Sequence, residues 1–147
     1  MQSALTETAA SKVSSDGSVH AFMHVWPVNN GDATRREVSW EVELIASHTS
    51  NRSHLDPSCA ACSRLRLRLH SIASTVVQRL APAMPGSIYF DVYSGIASII
   101  CLPSDGPCVS VSIHICDRRA GDSSQNGSPK PIARIKEALT VFGVRER

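Results

Sequence analysis

From Val19 onward, apolar and polar side chains alternate: Val19, Ala21, Met23 and Val25 point one way, and His20, Phe22, His24 and Trp26 point the other. Period-two alternation is the signature of a strand, here with two semi-apolar faces. The stretch NNGDATR that follows is rich in residues that form Asx-turns or accept positive φ. REVSWEVELIAS then alternates again, with Val38, Trp40, Val42 and Leu44 inward and Glu37, Ser39, Glu41 and Glu43 outward. The two segments are expected to form a β-hairpin.

The next apolar region changes period. RLRLRL, residues 64 to 69, alternates as a strand would, but Leu65, Leu69, Ile72, Ala73, Val76, Val77 and Leu80 recur at helical spacing over four turns. Asp56 and Pro57 supply an N-cap and a first-turn proline, and APAMPG ends the pattern, so a helix is expected from about Pro57 to Leu80. Three more alternating runs follow, SIYFDVY, IASIICL and CVSVSIHIC, separated by Ser94-Gly95 and PSDGP. They predict a meander in which Tyr93 pairs with Ile96 and Leu102 with Cys108. Ile88, Phe90, Val92, Ala97, Ile99, Cys101, Val109, Val111, Ile113 and Ile115 then share one face, and the register keeps Cys101 and Cys108 apart. Residues 119 to 129 read as a loop. The last segment, PIARIKEALTVFGVRER, places Ile132, Ile135, Leu139 and Phe142 on one helical face, with Gly143 as C-cap.

The expected fold is therefore α+β. An antiparallel five-stranded sheet in the order β-β-α-β-β-β-α carries both helices on one face, because two apolar helical stripes need one apolar sheet face. Residues 1 to 18 are Ser, Thr, Ala and Gly with few large apolar side chains, the composition of a loosely docked or disordered tail, and residues 19 to 147 form the single domain.

Composition narrows the function classes. In a chain of 147 residues, 42% hydrophobic and 19% charged residues fit a globular domain slightly poor in charge, which leaves room for a partner-covered surface and a homodimer. A net charge of +2 does not by itself call for nucleic acid. The N-terminus lacks the basic and apolar pattern of a secretory signal, and no apolar run approaches the roughly 20 residues that span a bilayer. A cytoplasmic setting with the five cysteines as thiols is the expectation.

Two places hold candidate chemistry. HLDPSCAACSRLRLRLH, residues 54 to 70, offers His54, Cys59 and Cys62 as zinc ligands, with His48, His70 or Cys116 as a fourth. Cys59 and Cys62, one turn apart at a helix start beside Arg64 and Arg66, also have the spacing of a redox pair. The competing reading makes Cys62 part of the apolar stripe and Arg64, Arg66 and Arg68 a solvated rim. The other place is the sheet face away from the helices. Period two puts Tyr89, Asp91, Tyr93, Ser98, Ile100, Cys108, Ser110, Ser112, His114 and Cys116 on it, joined by Glu41, Glu43 and the set of His20, Phe22, His24 and Trp26. Such a face suits a small molecule, a peptide or a second copy of the chain, with Tyr89, Tyr93 and Trp26 giving apolar area and Asp91 and His114 orienting polar groups. Asp91 and His114 would also be an acid/base pair if they touched. The carboxylates argue against single-stranded nucleic acid on this face.

Overall fold

The computed structural model describes residues 19–28, 38–48, 60–95, 108–118 and 130–146. Strands β1 (Val19–Val28) and β2 (Val38–His48) precede helix α1 (Ala60–Leu80), which passes through a 3-10 turn (Ala81–Ala83) into β3 (Ile88–Gly95). Strand β4 (Cys108–Asp117), helix α2 (Lys130–Val141) and the short β5 (Arg145–Glu146) complete the described order. The five strands lie in the order β3-β4-β2-β1-β5.

The two helices and four of the expected strands are present, and the hairpin β1-β2 is antiparallel in a continuous register from Val19↔His48 to Val28↔Ser39. Two expectations fail. The sheet is mixed, because β5 pairs parallel with β1 through Phe22↔Arg145 and Met23↔Glu146. The element order is β-β-α-β-β-α-β, and the fifth described strand is not IASIICL, which lies outside the described residues. Strand β4 pairs directly with β3, from Ile88↔Asp117 to Gly95↔Ser110. Ser94 and Gly95, expected as a two-residue turn, instead extend β3 and pair with Val111 and Ser110. The pairings expected for Ile96 and Leu102 also fall outside the described residues, as do the tail, Asp56 and Pro57.

The unexpected β5 has a local cause. Helix α2 ends in a Schellman arrangement: Gly143 N–H donates to Thr140 C=O at 3.0 Å and Val144 N–H to Leu139 C=O at 3.2 Å. This turn requires left-handed backbone at Gly143, whose φ is 87°. It also carries Val144 into the core, fully buried, and lays Arg145 and Glu146 beside β1. Two residues have no readable periodicity, which is why the strand is invisible in the hydrophobic pattern.

Both helices cover one sheet face. Met23, Val42, Leu44, Ala46, Val109, Val111, Ile113 and Ile115 from the strands form one buried cluster with Leu65, Leu69, Ile72 and Val76 of α1 and Ile132, Ile135 and Leu139 of α2. These are the inward sets expected from period two and period 3.6. Cys62 belongs to the same cluster and is fully buried, while Arg64 and Arg68 are exposed and Arg66 is half-buried. Leu67, the middle leucine of RLRLRL, is 70% exposed.

Cysteine chemistry departs from expectation. Cys62 and Cys116 are thiols, but Cys108 is disulfide-bonded. One disulfide leaves three of the five cysteines titratable by a thiol reagent in denaturant without reductant. Five reactive thiols in freshly purified protein would show that Cys108 is reduced.

Candidate functional site

The register of four strands turns the helix-free face into rows. Asp91 on β3 stands opposite His114 on β4, His114 opposite Glu41 on β2, and Glu41 opposite Trp26 on β1. The next row runs Tyr93, Ser112, Glu43 and His24. On the other side lie Tyr89, Cys116, Ser39 and Val28. Directly opposed side chains have Cβ atoms about 5 Å apart, so each row is a set of neighbours. Of the residues expected on this face, Tyr89, Asp91, Tyr93, Ser110, Ser112, His114 and Trp26 occur at positions of matching parity, and Ser98 and Ile100 lie outside the described residues.

The rows do not form one pocket. With strands about 4.8 Å apart, Asp91 and Trp26 at opposite ends of one row are roughly 14 Å apart. Trp26 instead associates with His24 beside it, their ring centroids 5.0 Å apart at an interplanar angle of 32°. The face also has two zones of different exposure. On β3, the outermost described strand on that side, Asp91 is exposed, with Tyr89 at 48% and Tyr93 at 41%. Toward the centre Ser39, Glu41, Glu43, Ser47, Ser110 and Ser112 are buried. Glu41 and Glu43 are expected outward, on the face away from the helices. They keep the expected side, but β2 lies between β4 and β1, whose His114 and Trp26 stand on either side of Glu41.

His114 joins the two zones. Its Nδ1 lies 3.0 Å from Glu41 Oε2, the histidine side chain 34% exposed and the glutamate 7%. Toward an ionised carboxylate Nδ1–H is the donor; Nε2 is then an acceptor when the ring is neutral and a second donor when it is imidazolium. Glu41 therefore sets the tautomer and orientation of His114, as a buried carboxylate does behind a ligating or proton-accepting histidine. Asp91 is the cross-strand neighbour of His114, yet the hydrogen bond goes to Glu41 on the opposite strand. Asp91 and His114, whose adjacency the sequence leaves open, are cross-strand partners, while the hydrogen bond of His114 Nδ1 joins it to Glu41. Sequence reasoning placed Glu41 on the face but not beside His114, because only the β2-β4 pairing makes them neighbours.

Glu41 Oε1 and Ser110 Oγ are buried and accept or donate no hydrogen bond. An unmet carboxylate oxygen next to a half-open histidine is an acceptor held in reserve, since buried polar atoms ordinarily find partners. The ring of Tyr89 carries a guanidinium already, that of Arg118, 4.6 Å from its centroid. Strand β3 thus presents, at Tyr89, a ring that carries a planar cation.

The cysteine-rich segment fares differently. His54 and Cys59 lie outside the described residues, and Cys62 faces the apolar core rather than a loop. His70 Nδ1 is 3.3 Å from Ser74 Oγ, one turn on along α1. Among the described residues no three His, Cys, Asp or Glu side chains are grouped so as to hold a metal ion. Among them, too, no helix is long and apolar enough to cross a membrane. Comparison of the chain with protein-family models, with curated proteins and with solved structures finds no match.

Proposed function

We propose that this domain is a non-catalytic binding or assembly module that engages a peptide segment of a partner, or of its own copy, on the helix-free sheet face. The observation that supports this reading is the arrangement of the β3 edge. Tyr89 and Tyr93, both more than 40% exposed, flank Asp91 on a strand that ends the described sheet on that side. Rigid aromatic rings on a sheet lose little side-chain entropy on binding. The Glu41–His114 pair lies directly behind them. A zinc or thiol-redox role centred on His54, Cys59 and Cys62 is the second reading, and burial of Cys62 in the core weighs against it, since reactive thiols are accessible. A disulfide at Cys108 belongs with an oxidising compartment, and the thiol titration decides between that and the cytoplasm.

The test is selection of peptides from a displayed random library on the full chain, with sedimentation velocity over a wide concentration range alongside. Selected peptides, or self-association, are expected to weaken at least tenfold in Tyr89→Ala with Tyr93→Ala, at unchanged melting temperature, about 1.4 kcal/mol of lost contact. A chain that enriches no peptide and stays monomeric would overturn the reading. So would binding indifferent to both tyrosines.

A further inference from the structure

The geometry points to a guanidinium subsite formed by Tyr93, Asp91 and His114, an arginine side chain of the bound segment being its occupant; this rests on the binding role proposed above and names its ligand chemistry. Three observations converge on it. The first is acceptor chemistry. Asp91 is an exposed carboxylate, and its cross-strand neighbour His114 turns Nδ1 toward Glu41, so that in its neutral form the ring offers Nε2 as a second acceptor. Two acceptors side by side with no cationic group between them in the row suit a donor-only ligand. Guanidinium is such a ligand, with five N–H donors and no acceptor.

The second observation is the ring. Tyr93 is two residues from Asp91 on the same face and 41% exposed. Tyr89, its counterpart on the other side of Asp91, already holds the Arg118 guanidinium at 4.6 Å. The strand thus shows on one side of Asp91 the cation–π contact that Tyr93 would make on the other. Stacking over a ring while donating to a carboxylate is the behaviour of arginine rather than lysine, whose ammonium is a compact and strongly hydrated point charge.

The third is reserve charge behind the subsite. Glu41 is nine-tenths buried with Oε2 on His114 and Oε1 without a hydrogen bond. A cation brought to Nε2 would sit within the field of this carboxylate as well as that of Asp91, and would offset the cost of keeping Glu41 out of water. A metal ion is a poorer occupant, because no three-ligand group occurs among the described residues.

The experiment is a titration of the 15N-labelled full chain with N-acetyl-arginine amide, N-acetyl-lysine amide and N-acetyl-glutamate amide, followed by amide shifts and the His114 ring resonances. The arginine amide is expected to give saturable shifts at Asp91, Tyr93 and His114. Lysine amide should bind at least threefold more weakly, and glutamate amide should leave these signals in place. Asp91→Asn, an exposed change that keeps the shape, should weaken arginine binding about tenfold, and Tyr93→Leu several-fold. No saturable shift with arginine, equal response to arginine and lysine, or an indifferent Asp91→Asn would each overturn the subsite. Failure here is separable from failure of the binding role. Peptides that need Tyr89 and Tyr93 but carry no arginine would sink the subsite alone. Arginine binding in a chain that enriches no peptide and stays monomeric would sink the module alone.

Discussion

Leu69→Ala is expected to destabilise the domain by about 3 kcal/mol in urea unfolding, while Leu67→Ala, two residues away, should change it by less than about 0.5 kcal/mol. The contrast follows from which period governs RLRLRL. As a strand, this segment would put Leu65, Leu67 and Leu69 on one face, and the two substitutions would cost alike. As part of α1, Leu65 and Leu69 are four residues apart and buried in the core, and Leu67 is turned away at 70% exposure. Leu69 sits among β-strand and helix side chains that belong to one cluster, so the space left by its truncation cannot refill from one flexible neighbour. Domains of this size are stable by only about 5–15 kcal/mol, so the loss at Leu69 shifts the urea midpoint visibly. Equal costs at the two positions would show that the segment does not form this helix.

The same reasoning explains how much of the fold is legible without coordinates. Long periodic segments declare both their type and their inward face, and β1, β2, β4, α1 and α2 all follow that rule. Contact order along the chain is another matter. Nothing in the alternation of CVSVSIHIC says that it lies between SIYFDVY and the first hairpin, because any strand with one apolar face can pair with any other. A hairpin turn signal at Ser94-Gly95 favoured a neighbour in sequence, and the direct pairing of β3 with β4 overrides it. The mixed character of the sheet comes from a cap at Gly143 and one buried residue, Val144, rather than from a strand pattern.

The site shows a similar division. Parity alone assigns Tyr89, Asp91, Tyr93, Ser110, Ser112 and His114 to the face without helices, and the β3-β4 register agrees with that assignment. Parity cannot say which residues share a row, and function depends on rows. Asp91, His114, Glu41 and Trp26 become one series only when three strand pairings are fixed together. Burial is equally hidden: parity puts Glu41 and Glu43 on the outward face, and does not say that β2 has neighbours on both sides or that the two carboxylates are buried. In the opposite direction, the histidine and cysteines around residue 59 attract attention as a string of letters. A helical period that carries Cys62 into the core gives that cysteine a packing role.

His114→Leu is expected to cost about 2 kcal/mol, more than Glu41→Leu, and the double variant Glu41→Leu with His114→Leu should regain most of it. Removing the imidazole leaves a carboxylate that is 7% exposed with neither oxygen hydrogen-bonded, since Oε1 has no partner even in the intact protein. Removing Glu41 instead strands only a histidine that is 34% exposed and reaches water, which limits the penalty. The fully buried case costs about 3–5 kcal/mol when one partner is lost, and partial access of His114 to solvent lowers that here. Two leucines side by side on β2 and β4 fill similar volume with no polar atom to satisfy. Denaturant unfolding of the four proteins gives the coupling energy directly, and additive single effects would show that the 3.0 Å contact contributes nothing to stability. If the double variant is as stable as the parent, the pair is not retained for folding. Its role is then the one the row suggests, in which Glu41 orients His114 beside Asp91, and the stable double variant should lose arginine-amide binding while keeping its fold.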